Sequence, residues 1–456
     1  MRTKLMSAIS AFMVFAAVPF IHAQAFTVLH KFNLKDGQNP QGTLVQDKAG
    51  NLYGTTVFGG AFAKGGQDVG NGTVFKLTPS GQETVLHSFS GKTDGGNPYA
   101  GLTPDGHNNF YGVALVGGDL SCPQPGSGGC GAVFKIDTSG RLTTLHDFTG
   151  AFNAPTDGQS PYASLFKDKA GNLFGTTVWG GLSFAFDSNG CGTVYEVNAN
   201  GKESALYSFQ CFLNSATDGW RPESTLVEDA AGNLYGTTVI GGLVNCTGPF
   251  SNTGCGTVFK LTPGKLTPGG SGWTETVLYR FTGGTDGSYP NAGLVIDSQG
   301  NLYGTTGMGG NLSCPTLGGT YGCGTVFKLS NHNGTWTESV VYAFPGGSHG
   351  AAPESQLVRD SAGNFYGTAV NGGDAKCPYG TNGFSGCGVV FKLDSQGKET
   401  VLHAFKGPDG FTPWGGLLLN ASTNTLYGTT TGGGDIAHCS LAHYYSGCGV
   451  VYKVKP

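Results

Sequence analysis

Asn51-Leu52-Tyr53-Gly54-Thr55-Thr56 recurs whole at Asn233–Thr238 and Asn301–Thr306. Variants stand at Asn109–Ala114, Asn172–Thr177, Asn364–Ala369 and Thr425–Thr430. The aromatic position falls at Tyr53, Tyr111, Phe174, Tyr235, Tyr303, Tyr366 and Tyr427, with spacings of 58, 63, 61, 68, 63 and 61 residues. A period near 60 residues holding several short strands indicates a propeller or a β-solenoid.

Each period contains four strand-like pieces. Piece A is short and apolar, as in Thr43-Leu44-Val45. An Asp-x-x-Gly-Asn turn leads to piece B, the six-residue repeat itself. A long glycine-rich loop follows, and then piece C, Gly-Thr-Val-Phe-Lys-Leu, as at Gly72–Leu77 and Gly256–Leu261. Piece D reads Thr-Val-Leu-His-x-Phe, as at Thr84–Phe89 and Thr400–Phe405. β-branched and aromatic residues in four strands per period describe a propeller blade. After residue 25 the chain opens on a piece D, Phe26–Phe32, and it finishes on a piece C, Gly449–Val454. The seventh blade therefore needs its D from the N-terminus, which closes the ring and removes free edges. Solenoid caps would look different from the repeats, and none is visible. The expectation is an all-β, seven-bladed β-propeller of four-stranded antiparallel blades. It forms one domain over 26–456, closed by the N-terminal strand.

Composition agrees. The 456 residues carry 25 Lys+Arg against 29 Asp+Glu, which gives no basic excess for nucleic acid. A hydrophobic content of 38% with 29 Phe and 18 Tyr can fill a core, so the chain is not disordered. The 81 glycines lack a period of three, which excludes collagen and points to tight turns.

Residues 1–25 read as a signal peptide. Arg2 and Lys4 precede an apolar run from Leu5 to Ile21, and Ala23-Gln24-Ala25 has the small-x-small form of a cleavage site. No other run is long enough to span a membrane, so no span is expected after cleavage. The expected location is exported: extracellular, cell surface or periplasm.

Twelve cysteines behind such a segment favour disulfides. Cys246/Cys255, Cys314/Cys323, Cys377/Cys387 and Cys439/Cys448 share one pattern, a first cysteine after Gly-Gly and a second inside Gly-Cys-Gly. Cys122/Cys130 is a fifth pair, and arithmetic joins Cys191 to Cys211. Zinc is the rival, but Cys-x-x-Cys pairs and histidine clusters are missing, so no metal or cofactor is expected.

Tyr-Gly-Thr-Thr-x-x-Gly-Gly, then Gly-Cys-Gly-Thr-Val-Phe-Lys-Leu, then Leu-His/Tyr-x-Phe, resembles the GloVer tandem repeat family, named for bacteria such as Gloeobacter and Verrucomicrobia. The likeness covers 26–456. It implies an exported protein of choice-of-anchor type and brings no catalytic residues. The ending Val454-Lys455-Pro456 carries no sorting tail, which favours release over anchoring.

Most repeated polar residues read as scaffold. His30, His87, His146 and His403 share one place in piece D with Tyr207, Tyr279 and Tyr342, and a tyrosine would not replace a histidine base. Asp47, Asp105, Asp168, Asp229, Asp297 and Asp360 suit an aspartate-shaped turn better than calcium. Lys76, Lys135, Lys260, Lys328, Lys392 and Lys453 pair locally or snorkel. Asp119, Asp374, Asp435 and Asn311 read as loop-shaping residues rather than calcium or sugar ligands.

Candidate binding residues are those that break the repeat. In a four-strand meander the D-to-A and B-to-C loops share a face, and variable loops on a rigid scaffold carry sites. The D-to-A loops read Asp-Gly-x-x-Pro, with Asp36, Asp94, Asp157, Asp218, Asp286 and Asp409, and with His349 in the sixth blade. The residue after proline changes: Gln41, Tyr99, Tyr162, Glu223, Asn291, Glu354 and Trp414. Trp220, Arg221, Tyr289 and Phe411 lie beside them. Tyr99, Tyr162, Trp220, Arg221, Glu223, Tyr289, Glu354 and Trp414 are the expected ligand-binding set, because flat apolar faces with a few polar partners suit a sugar. The expectation is a monomeric, noncatalytic binding module for an extracellular glycan or another exported protein. The alternative is a glycoside hydrolase using Glu223 and Glu354, or a polysaccharide lyase using Tyr289 and Arg221.

Overall fold

The computed structural model describes residues 25–64, 70–122, 128–150, 157–181, 189–211, 218–243, 246, 253–265, 271–314, 321–377, 385–435, 439 and 447–456. The expected signal peptide, apart from residue 25, lies outside them. Seven antiparallel sheets form the blades of a propeller. In blade 5 the order is A (Val295–Ile296), B (Leu302–Thr306), C (Thr325–His332) and D (Thr335–Ala343). Blade 7 takes A, B and C from Leu418–Asn420, Thr425–Thr430 and Val450–Val454, and its D strand is Phe26–Lys31. Phe26 pairs with Val454 and Thr27 with Lys453, the closure read from the sequence. Among the described residues the one helical turn is Gly347–His349, and no helix is long and apolar enough to cross a membrane.

The six-residue repeat explains the blade residue by residue, as blade 1 shows. Asp47 Oδ1 accepts from the Ala49 and Asn51 N–H groups, and Oδ2 accepts from Asn51 Nδ2 at 2.7 Å and Tyr53 OH at 3.0 Å. Leu52 is buried. A Cβ on Gly54 would sit 2.7 Å from Phe75 Cζ, so only glycine lets strands B and C pack this ring. Thr55 Oγ1 donates to the Ala100 carbonyl of the next blade at 2.7 Å, while Thr56 Oγ1 meets Thr73 Oγ1 of its own blade at 2.8 Å. The two threonines thus tie the blade outward and inward.

Strand A is shorter than the sequence pieces, with two paired residues in six blades and three in blade 7. Residues upstream of it bond across the seams instead, as Gly101 N–H does to Ser164 Oγ and Gln356 Nε2 to the Leu294 carbonyl. Every D strand carries a bulge against C, at Val326/Phe327 in blade 5 for example.

The core lies in the seams. Each of seven apolar clusters joins two neighbouring blades. At every seam the terminal Phe of one D strand meets the C-strand aromatic of the next blade, with centroids 5.0 to 5.3 Å apart. The closing seam, Phe32 on Phe75, belongs to this series.

Candidate ligand cavity

The cavity wall starts from the Asp-Gly-x-x-Pro loops. The residue before each proline, Asn39, Asn97, Ser160, Arg221, Tyr289, Ala352 and Thr412, has φ between 50° and 65°. A non-glycine residue pays for this left-handed backbone unless its surroundings hold it. The hold is a hydrogen bond from its N–H to the preceding blade. Six of these bonds reach the carbonyl of a Gly-Cys-Gly cysteine, as Tyr289 N–H does to Cys255 at 3.1 Å and Ala352 N–H to Cys323 at 2.9 Å. In blade 1 Asn71 replaces the cysteine and accepts from Asn97 N–H. The proline then packs on the glycine after that cysteine. Gly324, at φ +88°, leaves room for Pro353 Cδ, which would stand 2.6 Å from an added Cβ. This turn delivers the next residue to the ring axis. Gln41, Tyr99, Tyr162, Glu223, Asn291, Glu354 and Trp414 all line the central channel.

All six expected disulfides are present, Cys122–Cys130, Cys191–Cys211, Cys246–Cys255, Cys314–Cys323, Cys377–Cys387 and Cys439–Cys448. They therefore anchor the strained turns as well as their own loops.

To one side of the axis the channel widens into a cavity of about 600 Å³. Tyr162, Arg221, Glu223, Tyr289, Glu354 and Trp414 line it, so six of the eight expected residues converge. Tyr99 stands at its edge, stacked on Tyr162 with centroids 5.1 Å apart. Trp220 does not join them. It pairs with Ile240 and packs on the apolar cluster between blades 3 and 4. Alternation turns it away, since the neighbouring Arg221 takes the cavity side.

Arg221 Nη2 donates to Glu223 Oε1 at 2.7 Å, and its guanidinium lies over the Trp179 ring at 5.3 Å. Glu354 is only 8% exposed and accepts from Asn291 Nδ2 at 3.4 Å. Burial pushes its carboxyl up to about 8; the Asn291 amide pulls it down and Glu223 pushes it further up. Burial also raises Glu223, against the pull of Arg221. The Tyr162 hydroxyl is raised by burial, then by Glu223, Tyr99, Glu354 and Tyr289, so these groups share one electrostatic field. Trp414 Nε1, Arg221 Nε and Asn291 Oδ1 are buried without a hydrogen-bond partner.

Leu115, Val178, Trp179, Met308 and Tyr321 also line the cavity and were missing from the expected set. Trp179 and Met308 stand two positions past the last threonine of the six-residue repeat. That position varies between blades as the post-proline residue does, so the same criterion would have found them.

The repeated polar residues act as scaffold. His87, His146 and His403 Nε2 lie 3.1, 3.2 and 2.9 Å from Asp94, Asp157 and Asp409. Tyr207 and Tyr279 hydroxyls donate to Asp218 and Asp286 at 2.8 and 3.0 Å. Lys76, Lys135, Lys260, Lys328 and Lys392 lie over the strand B tyrosine rings at 5.7 to 5.9 Å. Asp119, Asp374 and Asn311 accept from the backbone N–H two residues on. His146, Asp157 and Glu203 bring three ligand-type atoms within 4.8 Å of one another. The Asp157 oxygens there already serve Thr149 and the Gly158 N–H.

Among solved structures, a gluconolactonase from Xanthomonas campestris is similar at 12% identity and a TM-score of 0.40, covering 95% of this chain and 89% of its own. A luciferin-regenerating enzyme is similar at 10% identity and a TM-score of 0.43, covering 95% of each chain. Likeness this distant carries no argument about the site. No curated protein matches the chain. The Gloeobacter/Verrucomicrobia repeat matches residues 14–210, 62–317, 120–377 and 251–441, overlapping stretches that run through all seven blades. The chain belongs to the Gloeobacter/Verrucomicrobia repeat family.

Proposed function

We propose that the protein is an exported binding module that holds a carbohydrate ring in the cavity between Tyr162, Tyr289 and Trp414. The carrying observation is the pairing of aromatic walls with unpartnered polar atoms on Trp414, Arg221 and Asn291. A pyranose offers an apolar face for the rings. Its hydroxyls can accept from Trp414 Nε1 and Arg221 Nε and donate to Asn291 Oδ1. Six disulfides fit an oxidising compartment. A glycan array followed by calorimetry tests the reading. Trp414→Ala should weaken binding by about 1–3 kcal/mol, as loss of an aromatic anchor does. Because Trp414 also packs on the cluster between blades 5 and 6, its melting temperature must be measured alongside. Unchanged affinity in a folded variant would refute the site.

One observation favours a second reading, glycoside hydrolysis. Burial holds Glu354 protonated near neutrality; it raises Glu223 as well, but there Arg221 pulls the other way, so the two carboxyls sit in unlike environments, as an acid and its carboxylate partner do. Turnover of a bound glycan that Glu354→Gln abolishes without abolishing binding would select the enzyme.

A further inference from the structure

Strand B of blade 5 ends on Thr306, and the next residue is Gly307. The same position holds Val57, Leu115, Val178, Val239, Val370 and Thr431 in the other blades. Blade 5 alone carries no side chain here, and the Glu354 carboxyl packs into the place it leaves. A Cβ on Gly307 would stand 3.2 Å from Glu354 Oε1 and 3.5 Å from Tyr289 Cδ1. The repeat has lost a side chain where a buried acid faces the cavity.

The charges around that acid do not balance. Two carboxylates, Glu223 and Glu354, line the cavity with one cation, Arg221. The guanidinium is already committed to Glu223 and to the Trp179 ring. Glu354 keeps a single long contact, from the neutral Asn291 amide. An acid this buried costs free energy when ionised unless a cation meets it. The walls nearest to it are aromatic, and aromatic faces with a carboxylate form the usual cage for an ammonium group.

We propose that the cavity takes a sugar carrying a free amino group, with the ammonium between Glu354 and the rings of Tyr162, Tyr289 and Trp414. The inference rests on the carbohydrate reading above and narrows it to a hexosamine. The groups facing Glu354 are Glu223 from blade 4, Tyr289 and Asn291 from blade 5, and Tyr162 from blade 3. Arg221 stands behind Glu223. The ammonium is the one cation that this set lacks. Forming the ion pair with an amine that is already charged removes the proton that burial keeps on Glu354, so binding then releases a proton to the buffer.

The test titrates the full protein with three probes of equal length: a glucosamine trimer, an N-acetylglucosamine trimer and a glucose trimer. Calorimetry is run at about pH 6, where the amine is charged and Glu354 still holds its proton, in two buffers of different ionisation enthalpy. The glucosamine trimer should bind at least about tenfold tighter than its N-acetylated counterpart, the size expected of a desolvated ammonium cage. It should release close to one proton, and the other two probes should release none. Glu354→Gln should bring the two aminosugar affinities together and abolish the release. Gly307→Val, which restores the residue of its sister blades, should crowd the Glu354 carboxyl out of its place and remove the preference. Melting curves of both variants confirm that they fold. Equal affinity for the three trimers overturns the amine and leaves the sugar-binding reading standing. A cavity that binds none of them overturns both.

Discussion

At the residue scale, the repeat is a list of contacts that cannot be exchanged. In blade 5 an added Cβ on Gly304 would stand 2.6 Å from Phe327 Cζ and 2.9 Å from Leu294 Cδ2. Gly304→Ala therefore overpacks the core, and a loss of about 1–3 kcal/mol in urea unfolding is expected. An unchanged midpoint would mean that Phe327 can swing away, which its T-shaped contact with Phe281 opposes. The sequence made the repetition of this glycine plain but not its cause, because the ring it admits lies on another strand. The same holds for the lysines of strand C, whose partner rings belong to strand B. The left-handed pre-proline residues were also hidden. Arginine, tyrosine and alanine carry no local sign of positive φ, and only the cysteine carbonyl of the preceding blade imposes it.

At the element scale, the B-to-C loops and the D-to-A loops act as one unit. Cys323 closes a short loop with Cys314, and its carbonyl fixes Ala352 two residues before Glu354. The double substitution Cys314→Ser and Cys323→Ser should cost about 2–3 kcal/mol in chemical unfolding, the loop-closure term for a bridge of this size. It should also weaken ligand binding at Glu354 more than the matching pair Cys439→Ser and Cys448→Ser does. The carbonyl of Cys448 holds Asn39, two residues before Gln41, which lines the channel but not the cavity. Equal affinities in the two double variants would show that the bridges stabilise the loops without positioning the wall. The pairing scheme was legible from spacing alone, and so was the shared face, because a meander leaves no other arrangement. The length of strand A was not. Its register depends on hydrogen bonds to neighbouring blades, which a single repeat does not reveal.

At the scale of the whole molecule, the seams carry a titration. Glu83 and Glu203 open the D strands of blades 1 and 3, Glu275 and Glu338 lie within those of blades 4 and 5, and each has a buried oxygen without a partner. Burial pushes them up to about 7, 7, 8 and 7. Asp36, Asp157, Asp218 and Asp286 across the seams push the same way. His30 and His146 oppose the shift at the first two and Arg280 at the third. The folded state then binds more protons than the unfolded chain between the ordinary glutamate value and about 7–8. Stability is complete below that ordinary value and falls as pH rises through the folded values. Asp47, Asp229, Asp297 and Asp360 work the other way. Hydrogen bonds from their turns, overcoming burial, hold them below the ordinary aspartate value, and their contribution is lost on acidification. Melting temperature should therefore peak in mildly acidic buffer and decline from pH 5 to 8.5. Glu275→Gln should flatten the alkaline slope and raise the melting temperature at pH 8.5. A flat profile across that range would refute the seam titration. Propeller, blade number and closure were all legible, since they follow from counting pieces. The cavity's position off the axis was legible only as a list of odd residues, because Gly307 matters through what it leaves out.

The ring also sets an order of assembly. Of the described strands, Phe26–Lys31 comes first along the chain and its partner Val450–Val454 comes last. Until Val450–Val454 is in place, the first strand keeps a raw sheet edge. The clasp between them works as a check on the ring, passed only when all seven blades have come together.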